Sequence, residues 1–261
     1  MWWRVHISRA GLPSGKLSRL TADSGLSDTP ALSPDGKLLA YSSDRAAAGQ
    51  MDLYVKHIAV GEPVRLTFDG AGNTAPNFSP DGSRIVFRSN RDGGGVYEIT
   101  SLGGPARLLA PDGLDPKFSP DGSQVAYWMG VRHVAITVPG SGSIWAVPAA
   151  GGAPRRLGTN FTASRCPIWA PDGKNLLAVG YTSPKAYDGA GIDWWLIPVS
   201  GAAPIRTGIF DALVRAGLKD ARRLLHFRGR WFLSPVVGCP TRIVCSFQSI
   251  PLRIIEIYGR P

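Results

Sequence analysis

Asn77-Phe-Ser-Pro-Asp-Gly-Ser-Arg-Ile-Val-Phe87 decides the fold, because the chain writes this phrase four times. The other copies are Ala31-Leu-Ser-Pro-Asp-Gly-Lys-Leu-Leu-Ala-Tyr41, Lys117-Phe-Ser-Pro-Asp-Gly-Ser-Gln-Val-Ala-Tyr127 and Ile168-Trp-Ala-Pro-Asp-Gly-Lys-Asn-Leu-Leu-Ala178. Proline presets φ for the first central position of a tight turn, and aspartate can accept bonds from backbone N–H groups just ahead. Glycine follows where φ has to be positive. The candidate structural residues are therefore Pro34, Asp35, Gly36, Pro80, Asp81, Gly82, Pro120, Asp121, Gly122, Pro171, Asp172 and Gly173.

Working outward, the prolines recur at intervals of 46, 40 and 51 residues, which suits a unit of four short strands. An apolar strand follows each turn, then a polar loop such as Ser43-Asp44-Arg45 or Asn90-Arg91-Asp92-Gly93. A third strand comes next: Asp52–Val55, Gly95–Ile99, Ser143–Val147 and Asp193–Ile197. A glycine-rich turn leads into the fourth, as in Gly61–Thr67 and Gly151–Leu157. One such sheet cannot bury both faces alone, so neighbours must stack around a ring. Leu32, Phe78, Phe118 and Trp169, just before each turn, are expected to fill the gaps between units. The fold class that follows is all-β: a propeller of four-stranded antiparallel blades, with four blades recognisable and the C-terminus irregular.

These units resemble the WD40-like β-propeller repeat of the TolB C-terminal domain, of prolyl-oligopeptidase-type propellers and of bacterial sensor proteins. The resemblance covers about residues 16 to 207. It implies a scaffold for binding or sensing, often fused to another domain, and carries no substrate with it. Trp3–Ser8 and Lys16–Thr21 parallel the later third and fourth strands, so the chain is expected to open inside a blade. That half-blade either closes the ring with a C-terminal half or is the remnant of a linker from an upstream domain.

Composition agrees with many strands and tight turns: Gly 32 and Pro 22 are about a fifth of the 261 residues. The net charge of +10 raises the question of a nucleic-acid partner. Residues 208–261 hold nine Lys/Arg against three Asp/Glu, which leaves only +4 spread over the first 207. No basic run with interleaved aromatics occurs there, so no nucleic-acid partner is expected. No run of about 18 apolar residues is present, so no membrane-spanning segment is expected. The N-terminus has no signal-peptide core, and an extracytoplasmic location would require an upstream anchor.

Catalytic patterns are weak. Gly140-Ser-Gly-Ser143 reads as an inter-strand loop without the helix that a nucleophile elbow needs, and His6, His57, His133 and His226 are scattered. Cys166, Cys239 and Cys245 form neither a disulfide framework nor a zinc motif. No enzyme activity, cofactor or metal is expected. Tyr54, Tyr97, Trp145 and Trp194 recur once per repeat, which favours packing over a ligand platform. The loops Ser42–Arg45 and Arg88–Arg91 are better placed for ligand contact, although their own hydrogen bonding competes with that role.

The chain divides into propeller repeats over 1–207 and a divergent tail over 208–261. Phe210, Leu213, Leu218, Ala221 and Leu225 follow helical spacing, so a short amphipathic helix is expected there, packed under the ring. From about Arg222 the strand–turn rhythm fades where a fifth blade is due. Codon degeneracy permits Trp-Leu-Pro-Asp-Ala-Asp-Arg-Leu in a shifted frame over Val237–Cys245, so a frameshifted tail is one reading. A divergent fifth blade, with Thr241–Ser246 as a strand, is the other. The functional expectation is a non-catalytic interaction or sensor module within a larger bacterial architecture. Its partner would be a protein or peptide, and uncovered terminal blades would favour self-association. The alternative is the substrate-gating propeller of a prolyl-oligopeptidase-like hydrolase whose catalytic domain lies outside this chain.

Overall fold

The computed structural model describes residues 20–21, 25–132, 134, 136, 138–183 and 191–215, together with the backbone of three short strands nearer the C-terminus. Blade 1 consists of β1 (Ser27–Leu32), β2 (Leu38–Ser43), β3 (Asp52–His57) and β4 (Val64–Arg65). Blade 2 has β5 (Thr74–Phe78), β6 (Arg84–Ser89), β7 (Gly95–Thr100) and β8 (Arg107–Pro111). Blade 3 has β9 (Gly113–Phe118), β10 (Gln124–Gly130), β11 (Gly142–Pro148) and β12 (Arg155–Leu157). Blade 4 has β13 (Ala163–Trp169), β14 (Asn175–Tyr181), β15 (Asp193–Pro198) and β16 (Ile205–Arg206). Each is an antiparallel meander in sequence order.

The first strands of successive blades touch one another, β1 with β5, β5 with β9 and β9 with β13, so they form the inner edge of the ring. Burial between the sheets is strictly alternate. On β6, Ile85 and Phe87 face blade 1, while Val86 faces blade 3. On β10, Val125 and Tyr127 face blade 2, while Ala126 and Trp128 face blade 4. Phe87, Tyr127, Ile144, Leu176 and Ile197 are essentially inaccessible, and each such side chain contributes about 1.5–3 kcal/mol of burial.

The residue before each turn shows what a neighbouring blade supplies. Phe78, Phe118 and Trp169 are 5%, 7% and 9% exposed, each packed on the preceding blade. Leu32 occupies the same position in blade 1, with no blade before it among the described residues, and is 42% exposed. It therefore does not fill an inter-blade gap as the sequence suggested. Tyr54 and Tyr97 are buried, whereas Trp145 and Trp194 are half-buried.

The helix expected in the tail is α1 (Ile209–Arg215), and its position differs from the expectation. It lies against β15, on the side of blade 4 that faces away from blade 3. Phe210 packs there with Val179, Tyr181 and Trp194. The later part of the helical pattern and the N-terminal half-blade, apart from Leu20 and Thr21, lie outside the described residues. Beyond α1, β17 (Leu233–Pro235), β18 (Arg242–Cys245) and β19 (Ile255–Glu256) pair antiparallel in that order. Strand β18 falls inside the Thr241–Ser246 segment, and its Arg-Ile-Val repeats Arg84-Ile-Val86 of β6.

Candidate functional site

A meander places the β1–β2-type and β3–β4-type turns at one end of every blade. The β2–β3 loops and the connectors to the next blade lie at the other. The two ends differ in chemistry.

At the turn end, all four Pro-Asp-Gly segments share one geometry. In blades 1 to 3, Ser33, Ser79 and Ser119 donate Oγ–H to Oδ1 of Asp35, Asp81 and Asp121 at 2.6, 2.5 and 2.5 Å. Each aspartate also accepts from the backbone N–H two residues on, at 3.1 Å from Lys37, Ser83 and Ser123, and Asp172 does so at 2.8 Å from Lys174. Gly36, Gly82, Gly122 and Gly173 have φ of 70°, 72°, 72° and 65°, where an ordinary side chain costs about 1–2 kcal/mol. The Ser79 hydroxyl, then the Ser83 N–H and hydroxyl, pull the Asp81 carboxyl down to about 2. Asp35, Asp121 and Asp172 are lowered for the same kind of reason. Each of the four carboxylates is thus engaged within its own turn.

At the loop end, the inner strands carry a feature that the sequence reading missed. Each has a β-bulge, and in each the residue five before the turn proline takes a left-handed conformation: Thr29 (φ 49°), Ala75 (55°), Asp115 (48°) and Cys166 (55°). None is glycine. Such strain persists only where surrounding structure holds it, and it concentrates at functional sites. No residue type is shared at this position, but a proline follows it in every blade, Pro30, Pro76, Pro116 and Pro167, a signal that sequence reading could have used.

Around the bulges the side chains change from blade to blade. Thr29 bonds the Ser42 hydroxyl at 2.8 Å and accepts from the Ala75 N–H at 3.1 Å. Asp115 accepts the Trp128 indole N–H at 2.7 Å and pairs with Arg132 at 3.5 Å. Arg165 lies over the Trp128 ring at 5.0 Å and donates to the carbonyls of Val134 and Ser141, both at 2.8 Å. Arg88 reaches the Asn90 amide oxygen. Burial lowers the Arg88 guanidinium from its ordinary value, the charge of Arg132 adds to this, and Asp115 opposes it. Lys117 is also lowered by burial, with Asp115 opposing. Burial pushes the Cys166 thiol up to about 12, so it is no nucleophile at neutral pH.

The loops singled out in the sequence are largely self-bonded. Asp44 accepts from the Leu26 and Gly49 N–H groups at 2.7 and 2.9 Å. Arg91 pairs with Asp69 at 2.8 Å, bonds Asn73 at 3.2 Å and lies over Phe87 and Tyr97. A cleft of about 350 Å³ beside it, lined by Thr67, Phe68, Asp69 and Pro105, presents no further unpaired charge. Two buried aspartates anchor this end. Asp52 binds Arg65 at 2.6 Å and Thr67 at 2.8 Å, and Asp193 pairs with Arg206 at 2.9 Å. The thirteen-residue spacing of each Asp–Arg pair is a signal that sequence reading could have used. Ser141 donates to the Ile136 carbonyl at 3.4 Å, and among the described residues no group of three His, Cys, Asp or Glu converges on a metal position. No helix among them is long and apolar enough to cross a membrane.

A family model described as the TolB beta propeller domain matches residues 5–130. Over those residues the repeats match the TolB propeller type. TolB from Acinetobacter baumannii superposes with a TM-score of 0.57 at 21% identity, over 72% of this chain and 44% of that one. The TolB candidate from Agrobacterium tumefaciens gives 0.55 at 25% identity, over 70% and 61%. The chain thus spans about half the length of these TolB structures. Puromycin hydrolase shares the fold, with a TM-score of 0.55 at 12% identity over 72% of this chain and 29% of that chain. No curated protein matches.

Proposed function

We propose that this TolB-type propeller is a non-catalytic interaction or sensor module that receives a protein or peptide at its loop end. Residues 1–207 supply the propeller and 208–261 a divergent tail. The observation that carries the reading is the contrast between the ends. The Pro-Asp-Gly turns repeat one closed hydrogen-bond pattern, whereas the loop end sets four strained bulges among polar groups that differ in every blade. A rigid scaffold with variable loops at one end is suited to recognition. Exposed Val131 and Val138 add apolar area at that end, as Val60 and Leu102 do at the other.

The test is cross-linked partner recovery with Val131→Glu/Val138→Glu against Val60→Glu/Leu102→Glu. The partner is expected to be lost with the first pair and retained with the second. The reverse pattern would overturn the assignment of the binding end. The alternative, a gating propeller of a hydrolase, draws on the fold shared with part of puromycin hydrolase. A hydrolase reading frame adjoining this one would favour it over sensing.

A further inference from the structure

Thr74 Oγ1, Arg88 Nε, Ser164 Oγ and Arg165 Nε are buried, have no hydrogen-bond partner among the described residues and all lie at the loop end. Thr74 and Arg88 face each other as a cross-strand pair on β5 and β6, and Ser164 and Arg165 are consecutive on β13. Arg165 is 9% exposed. All four atoms can donate, and a buried donor left unpaired costs about 1–3 kcal/mol. A natural fold keeps such a group where something else satisfies it.

The charges say what that is. Arg88 and Arg132 share the field of Asp115, which already accepts the Trp128 indole. Lys117 shares that field as well, and Arg165 lies over the same indole, so the cations outnumber the one carboxylate and an anion would offset the excess. Guanidinium forks match carboxylate and phosphate bidentately, and a protein or peptide partner of the kind proposed above supplies the carboxylate. The indole of Trp128, capped by Arg165, offers a flat surface beside it.

We propose that the loop end of the ring's inner edge binds a peptide carboxylate between Arg88 and Arg132, with Thr74 as an additional donor. The inference rests on the binding reading above and specifies the ligand chemistry of that end. The carboxylate belongs to a chain terminus or to an acidic side chain.

The experiment titrates the full chain, by calorimetry and tryptophan fluorescence, with N-acetyl-Gly-Gly-Ala, its C-terminal amide, N-acetyl-glutamate amide and inorganic phosphate. Saturable binding of N-acetyl-Gly-Gly-Ala but not its amide assigns a chain terminus. Binding of N-acetyl-glutamate amide assigns a side chain. Arg88→Gln and Arg132→Gln should each weaken the carboxylate about tenfold, the loss of one charge-assisted bond. Arg132 is the more exposed of the two, so its variant keeps the test decisive if Arg88→Gln does not fold. The proposal is overturned if no carboxylate binds, if both variants bind as well as the parent, or if phosphate binds more tightly. A chain that still captures a partner through Val131 and Val138 would then lose this inference alone.

Discussion

The two ends of the blades obey different rules. At the turn end every Pro-Asp-Gly carboxylate is satisfied within about five residues, and the same bonds recur in blades 1, 2 and 3. Two ties between blades there are alike, Arg107 to the Ala149 and Ala150 carbonyls and Arg155 to that of Val199. Blade 4 replaces the serine by Ala170, keeps the Lys174 N–H bond to Asp172 and adds the Asn175 side chain. At the loop end the bonds between blades use different residue types at each seam: Ala75 to Thr29, Arg91 to Asp69, Arg165 to Ser141. A locally closed turn can be copied without change. A cross-wired end has to be solved anew at each seam, which leaves it free to acquire specificity.

The largest effect that would test this contrast is at the loop end. Asp52→Ala strands Arg65, Thr67 and Asn73, and should cost about 2–3 kcal/mol after allowing for the partial exposure of Arg65. Asp81→Asn, at the turn end, should change the thermal melt little, because Asn keeps a side-chain acceptor. Equal losses would erase the distinction.

Gly122→Val comes next, at about 2 kcal/mol. Its φ of 72° resists a β-branched side chain, and a Cβ there would stand 3.2 Å from Cδ of Pro80. By contrast Ala75→Gly, at a left-handed bulge, should leave stability within about 0.5 kcal/mol, because relief of strain offsets the added unfolded-state entropy. Ala126→Gly in an ordinary strand should lose about 1 kcal/mol. Denaturant melts of the three variants check the order, and a large loss in Ala75→Gly would mean that the bulge needs its methyl group.

These contrasts also explain what could be read from the sequence. A Pro-Asp-Gly turn is legible because three residue types are each required by local geometry. The strands were legible because alternation continues through every blade. The bulges were legible only through the proline that follows each, Pro30, Pro76, Pro116 and Pro167, because Thr29, Ala75, Asp115 and Cys166 themselves share a conformation and no chemistry. Arg88 and Arg132 come together only when blades 2 and 3 stack, so spacing along the chain could not join them. Leu32 reads like Phe78, yet its environment depends on a neighbour that the local phrase does not specify.

The smaller effects are in solution behaviour. The Asp35, Asp81, Asp121 and Asp172 carboxyls are held below their ordinary values, so their stabilisation is present above about pH 4 and is lost as pH falls, for Asp81 through about 2. Asp81→Asn should blunt the acid limb of a stability–pH curve, and an unchanged limb would place the acid sensitivity elsewhere. Peptide and ester substrates should not be turned over. Activity that survives repurification and disappears with one substitution would overturn the non-catalytic reading. Limited proteolysis should cut the tail beyond α1 before the blades, and initial cuts within 27–206 would contradict the proposed division.

The turns also meet one another in sequence. A Cβ on Gly82 would approach Pro34, one on Gly122 would approach Pro80, and one on Gly173 would approach Pro120. Each turn touches only its predecessor, just as each sheet touches only its neighbours. Stability then accumulates as a sum of steps, each of one blade and one seam. Gene duplication can therefore lengthen or shorten such a chain by whole blades without redesigning the rest. Under load the array should yield in discrete increments of about one blade, beginning at whichever end has the weaker seam.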